Sequence, residues 1–297
     1  MFFGEFDGFD KADFELYTEK KQTLAVFNSK RFLVAKKLEG LGEKVKDIFK
    51  NSFADVSPTA PSVWNHNKVS DQVLYFIRKE EEQKKLEPFI MKEVSITGYI
   101  EDPAIYHNHV MFGARISQDG LHVYVHLNEK AIIDYKNLLN KLDYEGFSNE
   151  FTAIIPKDAK IFDKNFKEAD FETLKELIAK KESFYIGYFI KKEDKSISDS
   201  GFMDIFKKYA ESLKPLFDFI EWSSVNDYIE MRKVVKEKVI KEKQAGLKVG
   251  DEVIIKDDFL FSGKRAIITK LTKSGMANVN INGIQTKIDA SKLSKIQ

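Results

Sequence analysis

The amino-acid sequence predicts an α+β fold: a largely antiparallel sheet with packed helices, plus a small C-terminal all-β barrel. Three observations carry this expectation. In the first 222 residues, several strand-like runs follow one another with turns rather than helices between them, which favours antiparallel pairing. Other stretches repeat apolar residues at three- and four-residue spacing, the mark of a helix with one buried face. From Leu247 onward the pattern changes to short β-branched runs punctuated by Gly and Asp.

Taken in order, helical spacing is present over residues 11–20 and 29–51, and residues 57–61 form an irregular loop. Strands are expected over 72–78 and 94–100. The hairpin 110–127 is the strongest local feature. Asp119-Gly120 between two alternating runs predicts a type I′ turn, with Gln118 opposite Leu121, Ile116 opposite Val123, Ala114 opposite Val125 and Phe112 opposite Leu127. A helix at 129–142, a strand at 151–155, a helix at 171–181, a strand at 184–191 and a helix at 200–222 complete this body. Pro215 is expected to kink or split the last helix. Leu213, Leu216, Phe217 and Ile220 fall at helical spacing and read as its core seam.

Beyond residue 222 the charge balance changes. Residues 223–297 carry 15 basic and 9 acidic side chains, a net of +6 that leaves −5 on the first 222. Val225, Tyr228, Met231, Val235 and Val239 recur at helical spacing among Arg232, Lys233, Lys236, Lys238, Lys241 and Lys243, and Gly246 stops the pattern. Residues 223–246 therefore read as a basic helical connector. Strands follow at 252–256, 264–271, 276–281 and 285–289. So short a chain hides its sheet edges best by curling on itself.

The entry strand VGDEVII, the turn and strand FSGKRAIITKL, and the closing TKIDASKLSKI carry a resemblance. Residues 247–297 resemble a KOW-type SH3-like barrel of the kind found in NusG transcription factors and some ribosomal proteins, and the small barrel of type-two MutS proteins. One position departs from that pattern: Ala266 stands where a glycine usually opens the second strand. The body carries a second resemblance. FDKADFELY, HNHVMFGARISQDGLHVYVHLNEKA, FTAIIPKDAKIF and SFYIGYFIKKEDKSISDSGFMDIFKKYAESLKPLFDFI, in that order, are similar to the YktB-like family of uncharacterised bacterial proteins, with insertions at residues 65–92. That resemblance implies a compact α+β fold and an intracellular bacterial setting, and no reaction. The expected organisation is thus a YktB-like domain at 1–222, the connector at 223–246 and the barrel at 247–297.

Composition excludes several classes of function. With 48 basic and 47 acidic residues among 297, and 43% hydrophobic, the chain is neither a disordered polyelectrolyte nor a membrane span, and a soluble globular protein is expected. It has no cysteine, which removes disulfide scaffolds, thiolate metal sites and cysteine nucleophiles. The acidic opening MFFGEFDGFD lacks the basic and apolar regions of a secretory signal, so a cytoplasmic location is expected. No GxSxG, Walker loop, GxGxxG or HExxH is present, and SGKR at 262–265 lacks the upstream glycine of a phosphate loop. No cofactor is expected.

Two sets of residues remain. One face of the 110–127 hairpin collects Arg115 opposite Tyr124, Ser117 opposite His122 and Gly113 opposite His126, with His107 and His109 continuing along it if the strand extends that far. His107 and His109 would then lie roughly 6.6 Å apart along the strand, within reach of one metal ion, but His122 and His126 span about 13 Å and cannot chelate. No metal site is expected, and a solvated or helix-covered polar sheet face is the plainer reading. The same face offers aromatic and cationic groups for a phosphate or RNA platform, although the paired aromatic signature of RNA-binding sheets is absent. The second set lies in the basic tail: Arg232, Lys233 and Lys236 on the connector, and Lys264, Arg265, Lys270 and Lys273 around barrel loops. Glu101 and Asp102 read as loop carboxylates. The cluster Trp64-Asn65-His66-Asn67 reads as a Trp capping the core edge rather than as a recognition loop.

The expected function is that of a non-enzymatic accessory protein that docks on RNA, DNA or a ribonucleoprotein through residues 223–297. The alternative is an enzyme acting on an anionic or phosphorylated small molecule, with His122 or His126 as general base beside Arg115 and Tyr124. A third reading is a protein-interaction module without a small ligand, and no membrane partner is expected. The sequence leaves the oligomeric state open.

Overall fold

The computed structural model describes residues 6–93, 104–144, 146–230, 246–256, 258, 260–272 and 275–296. It separates the chain into two compact units, Met1–Tyr228 and Ile229–Gln297. The first unit begins with α1 (Lys11–Glu15), capped by Asp10 in a reciprocal capping box with Asp13, and α2 (Asn28–Val45). Then come the edge strand β1 (Ser52–Val56), β2 (Asp71–Arg78), α3 (Glu80–Glu93), β3 (Met111–Ser117) and β4 (Gly120–Leu127). The segment between β4 and its next partner holds α4 (Ile132–Leu142), α5 (Phe147–Ile154), β5 (Lys160–Asp163), β6 (Glu168–Ala169) and α6 (Phe171–Lys180). The unit closes with β7 (Phe184–Lys191) and α7 (Phe202–Ile220).

All pairings are antiparallel, in the order β1-β2-β3-β4-β7-β5-β6. Side chains on a strand alternate between faces, so Leu74 and Phe76, then Phe112, Ala114 and Ile116, then Leu121, Val123 and Val125 all turn to one side. There α2 and α7 pack over the sheet. Val34, Leu38 and Leu41 of α2 and Phe206, Leu213 and Phe217 of α7 complete a single core with those strands. The core seam expected for residues 213–222 is present, and α7 runs unbroken through Pro215.

Several elements differ from the sequence reading. Residues 151–155 belong to helix α5, not a strand: Phe147, Phe151 and Ile154 share a helical face, and Phe151 packs 5.6 Å from Phe219 between ring centres. The helix 29–51 ends at Val45, and β1 begins at Ser52. The α3 helix and the β5–β6 hairpin carry too little apolar periodicity to be read ahead. The strand expected at 94–100 and the loop carboxylates Glu101 and Asp102 lie outside the described residues.

The 110–127 hairpin keeps its expected faces but not its register. Ser117 pairs with Gly120, Ile116 with Leu121, Arg115 with His122 and Gly113 with Tyr124, so Gln118 and Asp119 form the loop. Both loop residues have negative φ, which excludes a type I′ turn. Gly120 is needed for another reason: a Cβ there would lie 2.2 Å from the Ile190 carbonyl oxygen of β7.

The second unit contains β8 (Glu252–Ile255), β9 (Arg265–Leu271), β10 (Met276–Ile281), β11 (Ile284–Asp289) and β12 (Leu293–Lys295). They form one antiparallel sheet in the order β11-β10-β9-β8-β12, with a single 3-10 turn, Ala290–Lys292, before the last strand. The five strands form a small all-β unit, and among the described residues no pairing closes β11 onto β12 into a barrel. Val253, Ile255, Ala266, Ile268, Val279 and Ile288 meet in its own small core. No helix of this unit covers those residues among the described ones, so the strands bury them by curving over each other. The helical connector expected at 223–246 lies outside the described residues from 231 to 245.

Candidate functional site

On the sheet face opposite the main core, the structure brings Arg115, His122, Tyr124 and His126 together as expected, but inside the protein. Tyr124, flanked in the pairing by Gly113 and Gly187, is the centre of this layer. A Cβ at Gly187 would lie 2.0 Å from the Val123 carbonyl oxygen, so this strand crossing admits only glycine. The His126 ring stacks on Tyr185 at 4.0 Å, His122 stacks on Phe189 at 4.4 Å, and Phe166 lies 4.6 Å from His122. Phe166 reaches that place from the β5–β6 turn with φ of 59°, an uncommon conformation for an aromatic residue. Arg115 lies 4.2 Å over the Phe166 ring and donates to Asp71 at 3.0 Å.

This environment sets the chemistry of the histidines. Burial, with Arg115 adding to it, pushes His122 down to about 3, and burial holds His126 well below the ordinary imidazole value. Neither His126 nitrogen has a hydrogen-bond partner among the described residues. A general base works best when its pKa is near the working pH, so these imidazoles are poorly matched to proton abstraction. His107 lies in the 3-10 turn Ile105–Asn108 rather than on a strand, which breaks the alternation expected for His107 and His109. His109 is buried, and both burial and Arg78 keep it neutral. Among the described residues no three His, Asp or Glu side chains are grouped to hold a metal ion. His66 and Asn67 both have left-handed backbones, and Asn65 and His66 border a separate cleft of about 350 Å³ with Asp71, Tyr106 and His107. The Trp64 side chain lies outside the described set.

The tail residues divide by what can be described. Arg232, Lys233, Lys236 and Lys273 lie outside the described residues. Lys264, Arg265 and Lys270 are exposed on or beside β9. The β9–β10–β11 register places Lys270, Asn278 and Lys287 in one cross-strand row, with Ile267, Asn280 and Gln285 in the next. This is the face opposite Ala266, Ile268, Ala277 and Val279, which point into the small core. None of Lys264, Arg265, Lys270 or Lys287 is in an ion pair among the described residues, whereas Lys295 pairs with Asp251 at 2.7 Å.

A third site was not foreseen. Arg78, at the end of β2 and only 2% exposed, pairs with the fully buried Asp134 of α4. Asp134 also accepts from the Val110 and Trp222 backbone N–H groups, each at 2.8 Å. Beside this junction, a cleft of about 440 Å³ opens between the turn after α2, the end of β2 and the end of α7. Its wall includes Glu221, whose carboxyl burial pushes up to about 7. The signal for the junction was legible: Arg78 has the same parity as Leu74 and Phe76, and a lone charge on a core face demands a buried partner.

No family model and no curated protein matches the chain. Among the described residues, no helix is long and apolar enough to cross a membrane.

Proposed function

We propose that this chain is a non-enzymatic accessory protein that docks on nucleic acid through the outer face of its C-terminal sheet, assisted by the basic residues of the segment before it. The observation that carries this reading is the set of four exposed cations without ion-pair partners among the described residues, Lys264, Arg265, Lys270 and Lys287, on or beside a small sheet whose inner face holds its own core. Unpaired surface cations are free to replace the counterions of a phosphate backbone, which is where most sequence-independent affinity comes from. Asn278, Asn280 and Gln285 lie between and beside those lysines in the register and supply amides for phosphate or sugar oxygens. The resemblance of residues 247–297 to KOW-type barrels supports a docking role, and that of the body to the YktB-like family bears on architecture alone. The histidine layer favours no enzymatic alternative, because its imidazoles are buried among aromatic rings and held neutral.

The test is fluorescence-anisotropy binding of the full chain to short single-stranded RNA, single-stranded DNA and duplex across a salt series. With about four phosphate contacts, log affinity for a duplex falls against log salt with a slope of roughly −3 to −4. Lys270→Glu with Lys287→Glu weakens binding at every salt concentration and makes the slope shallower by about two. Binding that ignores both substitutions, or no binding at low salt, overturns the proposal.

A further inference from the structure

We propose that the cleft at the end of α7 is a binding site for a small organic cation, an alkyl ammonium or guanidinium group, which pairs with the Glu221 carboxylate beside the Trp222 ring. The argument starts from charge pairing. At the floor of the cleft every other charged side chain already has a partner: Arg78 is matched by Asp134, Lys214 by Asp218 at 2.6 Å, and Glu82 by Lys85 at 2.5 Å. Among the described residues Glu221, which lines the same floor, has no ion-pair partner and its carboxyl accepts no hydrogen bond. Once ionised it is eased only from a distance by Arg78 and Lys214, whose charges are already shared with Asp134 and Asp218.

The remaining polar groups point the same way. Glu82 Oε2 is buried in the cleft wall without a donor, while Oε1 of the same carboxylate receives both Lys85 and Ser224. Glu221 lies at the carboxyl end of α7, where the terminal carbonyls and the helix dipole favour positive charge. Arg78 has unpartnered nitrogens too, but those atoms are buried, its guanidinium already lies 6.0 Å from the Trp222 ring, and its charge is met by Asp134. It offers an entering anion no reachable donor. Lys50 and Lys79 are exposed at the rim, where water screens them.

The size and lining set the class of ligand. A volume of about 440 Å³ suits a small organic molecule rather than a bare ion. The Trp222 indole offers an apolar face and a negative ring quadrupole to a cation lying over it. A ligand with one ammonium or guanidinium head and a short alkyl stem satisfies both features.

Isothermal titration calorimetry of the full chain with n-butylamine, putrescine and agmatine tests this, at pH 6 and pH 8. Because the carboxylate must be ionised to pair and burial pushes its pKa up to about 7, affinity is expected to fall roughly tenfold from pH 8 to pH 6. Glu221→Gln abolishes the binding at pH 8 while circular dichroism shows an unchanged fold. Lys79→Ala, which removes a rim cation, leaves binding intact or tightens it. A short lysine-containing peptide that binds more tightly than the free amines identifies a protein side chain as the source of the cation. No heat with any amine at pH 8 overturns the proposal. So does binding of acetate or inorganic phosphate that strengthens toward pH 6, or amine binding that survives Glu221→Gln.

Discussion

His109, His122 and His126 are interior imidazoles whose environment forbids a charge, and this makes the folded body sensitive to acid. Their folded pKa values lie below the unfolded value of 6.5, so between that value and the folded one the unfolded chain binds more protons. The stability they contribute is full above pH 6.5 and is lost as pH falls below it, for His122 down to about 3. For His122 this costs about 1.4 kcal/mol per pH unit between 6.5 and about 3. Urea unfolding at pH 7.5 and at pH 5 is expected to show a loss of about 2 kcal/mol or more, which His126→Phe makes smaller. An unchanged pH dependence in that variant would place the sensitivity elsewhere. Glu221 has the opposite history: its folded pKa is raised from 4.5 to about 7, so its ionisation opposes folding as pH rises through that interval. Glu221→Gln should therefore stabilise the protein at pH 8 by something on the order of 2 kcal/mol and change little at pH 4. Thermal melts at the two pH values decide it.

At the scale of elements, the sheet depends on close approaches that its aromatic residues require. Gly187 lies where Tyr124 crosses from the neighbouring strand, and the nearest backbone atom stands 2.0 Å from any added Cβ. Gly187→Ala is expected to cost about 3 kcal/mol or more, because the clash is with backbone and no side chain can move aside. A variant that melts within a degree or two of the parent would contradict this. The hairpin around Tyr124 also shows which parts of the fold were legible. The inward set Phe112, Ala114, Ile116 and Val123 follows from alternation alone, because a two-fold period is strict on a strand. The register does not follow, since Asp119-Gly120 has the composition of a turn while Gly120 is reserved for contact with Ile190. Likewise Thr152, Ile154 and Ile155 favour a strand locally, and only the distant Phe219 shows why the segment coils. The histidine face was legible as a face, but the rings that bury it come from Phe166 and Tyr185, far away in sequence.

For the whole molecule, each of the two units has its own core. The charge asymmetry that suggested a boundary after residue 222 falls close to the structural one, yet six residues matter. Tyr228 donates its backbone N–H to Asn137 at 2.8 Å and accepts from Asn140 at 3.2 Å, and its ring receives Lys141 at 5.0 Å. Lys141 also donates to the Phe219 carbonyl at 2.7 Å, with burial pulling its pKa down to about 8. A fragment of residues 1–228 is expected to fold on its own and to be more stable than one of residues 1–222 by about 1–3 kcal/mol, because the shorter piece leaves the buried Asn137 without its donor. Equal urea midpoints for the two fragments would refute this.

The junction at Asp134 also orders events in time. Its three donors lie 24, 56 and 88 residues away along the chain, and the farthest, Trp222, is made last. During synthesis the carboxylate must wait for that residue to leave the ribosome, and until then its burial is incompletely compensated. The sheet can gather earlier, but the body closes only when the final helix has emerged, so a nascent chain halted short of residue 222 should remain open to proteases.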